Sequence, residues 1–70
     1  MDLKSPAVGK VIRLTLDPGT RVKRGDEIMV IESMKVEIPI KAPADGQITQ
    51  FRVKVGDQIQ RTAVLAIIET

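Results

Sequence analysis

The chain reads as a small all-β domain made of two similar halves, and three observations predict this. Val and Ile supply 17 of the 70 residues, while Phe51 is the only aromatic. β-Branched side chains are stiff at χ1 and suit a pleated, half-buried surface. Apolar residues come in short alternating runs broken by Gly, Pro and Asp, as in "GKVIRLTL" followed by "DPG". That is the period of strands and the punctuation of turns. Finally, residues 5–33 align without gaps on residues 42–70, an offset of 37.

The repeat is faint in identity and clear in pattern. Pro6 falls on Pro43, Ala7 on Ala44, Gly9 on Gly46, Gly19 on Gly56, Arg24 on Arg61, Ile31 on Ile68 and Glu32 on Glu69. Apolar positions match too: Val11 with Ile48, Leu14 with Phe51, Leu16 with Val53, Val22 with Ile59, Ile28 with Leu65 and Val30 with Ile67. Two copies are too few for a solenoid. Residues 1–70 therefore read as one domain whose halves are related by an approximate two-fold.

In chain order, "SPA" (5–7) and "APA" (42–44) open the halves, with Pro at a strand end or edge. "GKVIRLTL" (9–16) and "GQITQFRV" (46–53) are the first strands, with Phe51 expected in the core. "DPG" (17–19) and "KVGD" (54–57) turn the chain, with Gly available where φ must be positive. "KRGD" (23–26) is a second turn, and its counterpart "QRTA" (60–63) has lost the Gly. "EIMVIES" (27–33) and "VLAIIET" (64–70) close each half as strands.

Only the first half continues, into "MKVEIPIK" (34–41). A two-residue hairpin loop at Met34-Lys35 sets Ser33 opposite Val36, Glu32 opposite Glu37, Ile31 opposite Ile38 and Met29 opposite Ile40. Alternation then collects Met29, Ile31, Ser33, Val36, Ile38 and Ile40 on one face, and Val30, Glu32, Glu37, Pro39 and Lys41 on the other. A shift of one residue would mix these sets. Yet such turns want φ > 0, which suits Gly and Asn. Met and Lys there each cost about 1 kcal/mol or more. Glu32 facing Glu37 adds a like-charge pair.

Taken singly, Lys35 reads as a solvated surface lysine, Met34 as a misplaced core residue, and Glu32 and Glu37 as outer-face charges. Together they break several local rules within six residues, and such breaks gather where function sits.

Composition narrows the chemistry. There is no Cys and no His, which excludes thiol nucleophiles, His-based triads and zinc sites of the usual ligands. Eleven basic and nine acidic residues leave a net charge of +2, spread along the chain as a mixed solvated surface. Nucleic-acid platforms want stacking aromatics, and only Phe51 is present. No apolar run approaches the ~20 residues of a membrane span, and no targeting segment is visible. The expectation is a cytoplasmic protein that binds neither nucleic acid nor membrane.

The chain resembles the biotinyl/lipoyl carrier domains. "ESMKVEIPI" (32–40) is similar to their attachment hairpin, "KAPADGQI" (41–48) to the next strand and turn, and "VKVGDQI" (53–59) to the late turn. The resemblance covers essentially all 70 residues. It implies a flattened β-barrel, or barrel-sandwich hybrid, of two four-stranded antiparallel sheets with pseudo-two-fold symmetry. It further implies that Lys35 carries biotin, and that Met34, Val36, Glu32 and Glu37 flank it for recognition by a biotin protein ligase. Met34 stands where biotinyl domains carry Met, while Val36 replaces their usual second Met.

By the same resemblance the domain is a carrier and not an enzyme. Its biotin would move carboxyl groups between the biotin carboxylase and carboxyltransferase components of a carboxylase, or serve a decarboxylase. A lipoyl carrier, and a small β-barrel interaction or nucleic-acid-binding module, stand as alternatives.

Overall fold

The computed structural model describes residues 1–70, as eight strands and no helix. The strands are β1 (Asp2–Lys4), β2 (Gly9–Leu14), β3 (Arg21–Val22), β4 (Glu27–Ser33), β5 (Val36–Lys41), β6 (Gly46–Phe51), β7 (Gln58–Ile59) and β8 (Val64–Glu69). They form two four-stranded sheets, ordered β1-β8-β6-β3 and β5-β4-β2-β7, with every pairing antiparallel. This is the all-β, two-sheet architecture the resemblance implies.

The two-fold holds residue by residue. β2 pairs with β4 through Lys10↔Glu32, Val11↔Ile31, Arg13↔Val30 and Leu14↔Met29. β6 pairs with β8 through Gln47↔Glu69, Ile48↔Ile68, Gln50↔Ile67 and Phe51↔Ala66. Each pair is the other moved by 37, and the bulge between Val11 and Arg13 recurs between Ile48 and Gln50. β1 takes in the second half the place that β5 takes in the first: Leu3↔Ala66 matches Met29↔Ile40.

Strand alternation explains the core. Val11, Ile28, Met29, Ile31, Ile48, Leu65, Ala66 and Ile68 are fully buried between the sheets, with Leu3, Val22, Ile40, Ala42 and Ile59 around them. The molecule measures 19 × 18 Å across its short axes, which fits two sheets about 10 Å apart plus their side chains.

The structure departs from the sequence reading in three places. The strands in the runs 9–16 and 46–53 end at Leu14 and Phe51, one residue before a last backbone hydrogen bond from Thr15 and Arg52, although Leu16 and Val53 still pack on the core. Phe51 is half-buried at the rim of the core, not inside it. Val30, on the outer face as expected, is nonetheless buried, with Arg13 and Pro39 as its strand neighbours. Long or rigid neighbours can cover an outward Val by their stems and rings.

Gly9 and Gly46 are needed for close approach. A Cβ on Gly9 would overlap the carbonyl oxygen of Glu32, and one on Gly46 would lie 2.6 Å from that of Glu69. Each lets a strand start pressed against the last residues of its neighbour.

Candidate functional site

β4 and β5 form the hairpin in the expected register: Met29↔Ile40, Ile31↔Ile38, Glu32↔Glu37 and Ser33↔Val36. The turn is therefore Met34-Lys35. Both residues are left-handed, with φ 51° for Met34 and 64° for Lys35. An L-residue there crowds its Cβ against a carbonyl oxygen, at roughly 1–2 kcal/mol each. The ladder enforces the conformation. Met29, Ile31 and Ile40 are buried on the hairpin's inner face, so a different turn would pull them out of register.

The tip projects into solvent. Met34 is 94% exposed and Val36 58%. Lys35 is exposed as well. The only ion pair in the molecule joins Arg13 to Glu27 at 3.8 Å, so the Lys35 amine has no carboxylate partner. Glu32 and Glu37 face each other on the outer side, both exposed. On its other flank Glu32 stands opposite Lys10 of β2 in the strand register, without forming an ion pair.

The hairpin thus brings Glu32, Met34, Lys35, Val36 and Glu37 together, as the sequence reading placed them. What that reading missed is a groove beside the tip. Met34 and Glu32 line it with Val8, Lys10, Gln58 and Arg61. One signal could have found it: Val8 is an apolar residue where the repeat has Asp45.

A rigid barrel that holds a lysine amine free at a strained tip defines a class. Such a scaffold displays one side chain to solvent at a fixed place. The family model described as "biotin-requiring enzyme", covering biotin and lipoyl domains, matches residues 1–68. A biotinylated protein of Mycobacterium leprae is 34% identical over 67 residues, 96% of this chain and 94% of its own. Pyruvate carboxylase of Bacillus subtilis is 43% identical over 61 residues, 87% of this chain and 5% of that much longer protein. The lipoyl domain of the Azotobacter vinelandii 2-oxoglutarate dehydrogenase complex superposes with TM-score 0.84 at 32% identity, covering all of this chain and 96% of that one.

The chain belongs to this biotin/lipoyl family, as a carrier domain of the biotinyl type.

Proposed function

We propose that Lys35 is the residue that takes biotin, attached through an amide by a biotin protein ligase. One observation carries the reading. Lys35 sits at φ 64° on an exposed tip whose register is fixed by the buried residues behind it. Such a position costs stability and suits a side chain that another protein must reach.

The residues fit the group. The Lys35 nitrogen, once deprotonated in the ligase, attacks the acyl carbon of an activated biotin such as its acyl-adenylate. A C–N bond forms, the nucleotide leaves, and the formal charge of the chain falls from +2 to +1. Met34 and Val36 offer apolar contacts on either side. Glu32 and Glu37 offer carboxylates to basic residues of the ligase. When attached, biotin supplies a ureido nitrogen that can hold a carboxyl group.

The chain's own part is geometric. The barrel fixes the root of the arm, so that carriage between two partner sites is governed by effective concentration. The partners we propose are the biotin carboxylase and carboxyltransferase components of a biotin-dependent carboxylase. Met34, where lipoyl domains carry Asp, and the names of the curated relatives favour biotin over lipoate.

The test is avidin binding after expression in a ligase-competent cell. Wild type should shift with avidin, and Lys35→Arg should not, with the fold unchanged. Avidin capture of the Arg variant would refute the assignment.

A further inference from the structure

The groove beside the hairpin has a two-fold counterpart, which serves as an internal control. Val8, Lys10, Glu32, Met34, Gln58 and Arg61 line the hairpin groove. Asp45, Gln47, Glu69 and Arg21, the counterparts of Val8, Lys10, Glu32 and Gln58, line a second groove that includes Thr70. A repeated fold makes the same backbone demands at both, so differences between them call for another cause.

In the second groove two polar side chains, Asp45 and Gln47, serve the fold. Asp45 accepts a hydrogen bond from the Arg24 backbone N–H at 2.9 Å, and the Gln47 amide donates to the Gly19 carbonyl at 2.9 Å. In the hairpin groove both devices are gone. Val8 offers no acceptor to Arg61, the counterpart of Arg24, and is 56% exposed. Lys10 makes no ion pair.

Strain gathers here as well. Thr62 stands at φ 70° where its counterpart Gly25 takes φ 93°. A β-branched residue is a poor choice for that region. It follows Arg61 directly, just as Lys35 follows Met34. All three non-Gly residues with positive φ therefore adjoin this groove.

The lining has a definite chemistry. Val8 and Met34 are apolar, Gln58 is an amide, and two cations, Lys10 and Arg61, outnumber the one carboxylate, Glu32. In the counterpart groove two carboxylates outnumber one cation, and no hydrophobic residue is present. Biotin's head is a compact ring pair, apolar on one side and ureido on the other. It gains a negative charge whenever it holds a carboxyl group.

From these features we infer that the hairpin groove is a docking site for the head of the biotin borne by Lys35. Val8 and Met34 face its apolar side, and Lys10 and Arg61 favour its anionic form. The inference rests on Lys35 as the attachment residue. The lysine and valeryl chains are long enough to fold back past one residue, and tethering raises the local concentration enough for a shallow site to be occupied. Docking would shield the carboxyl group between partner sites.

Amide NMR spectra of the full chain before and after ligase treatment, with modification verified by intact mass, test this. Biotinylation should shift Val8, Lys10, Gln58 and Arg61 as well as Ser33–Glu37, and leave Arg21, Asp45 and Gln47 unmoved. The double variant Val8→Asp, Lys10→Gln imports the side chains of the other groove, where the same backbone accommodates them. It should be labelled at the wild-type rate and lose the shifts at Gln58 and Arg61. Shifts confined to Ser33–Glu37 in labelled wild type would overturn the docking site while leaving the Lys35 assignment intact. Slower labelling of the double variant, with shifts so confined, would make the groove a ligase surface instead. A chain that gains no mass would overturn both.

Discussion

β2 and β4 pair Lys10 with Glu32 and Val11 with Ile31; thirty-seven residues later β6 and β8 pair Gln47 with Glu69 and Ile48 with Ile68. The two halves share strand order, bulge and core. They part company at the ends of β4 and β8. After Ser33 the chain turns through two strained residues into β5. β1, from the other end of the chain, fills the edge position that β5 fills in the first half. What the halves have in common is therefore what the barrel needs. What they do not share is concentrated at one tip and one groove, and the barrel does not require it.

The comparison breaks most visibly if the shared glycines are not equivalent. Gly9→Ala and Gly46→Ala each drive a methyl into a backbone carbonyl, and each should cost about 3 kcal/mol in chemical denaturation. Similar losses support the two-fold. A tolerated Gly46→Ala beside a ruinous Gly9→Ala would show that the halves bear different loads.

Next come the residues that only the first half has. Met34→Asp with Val36→Ala should slow labelling by a biotin ligase about tenfold, the loss of one good recognition contact, and should admit a lipoate ligase. Steady-state kinetics with both ligases measure this. Unchanged preference would mean that the flanks do not select the modification.

A smaller effect comes from exchanging turn residues. Thr62→Gly removes a left-handed Thr and should stabilise by about 1 kcal/mol, after the entropy a Gly loses on folding. The reciprocal Gly25→Thr should destabilise by a similar amount. A destabilised Thr62→Gly would assign Thr62 a packing role absent from its counterpart.

The smallest effect concerns the facing carboxylates. Glu32→Gln with Glu37→Gln relieves the like-charge pair and should stabilise by about 0.3 kcal/mol. Labelling should slow if these carboxylates meet basic ligase residues, and an unchanged rate would remove them from recognition.

Much of this was legible before any coordinates. The offset of 37 carried the two-fold, and the alternation of Met29, Ile31, Ile38 and Ile40 fixed the hairpin register. Residue-level reading stopped at β1, β3 and β7, which are two or three residues long and too short to show a period. It also placed Phe51 too deep, because hydrophobicity alone does not separate the rim of a core from its centre. The lost Gly at Thr62 was visible, but whether the turn would change shape or strain the Thr depends on the surrounding ladder. The groove was hidden because its residues come from four separate stretches of chain, brought together only by the fold.

The most direct measurement is site-resolved mass spectrometry of the wild-type chain after incubation with a biotin protein ligase, biotin and ATP. The account predicts one added biotin, localised to Lys35, with Lys4, Lys10, Lys23, Lys41 and Lys54 unmodified although they too are exposed. An unmodified chain, or biotin found on one of those other lysines, would contradict it.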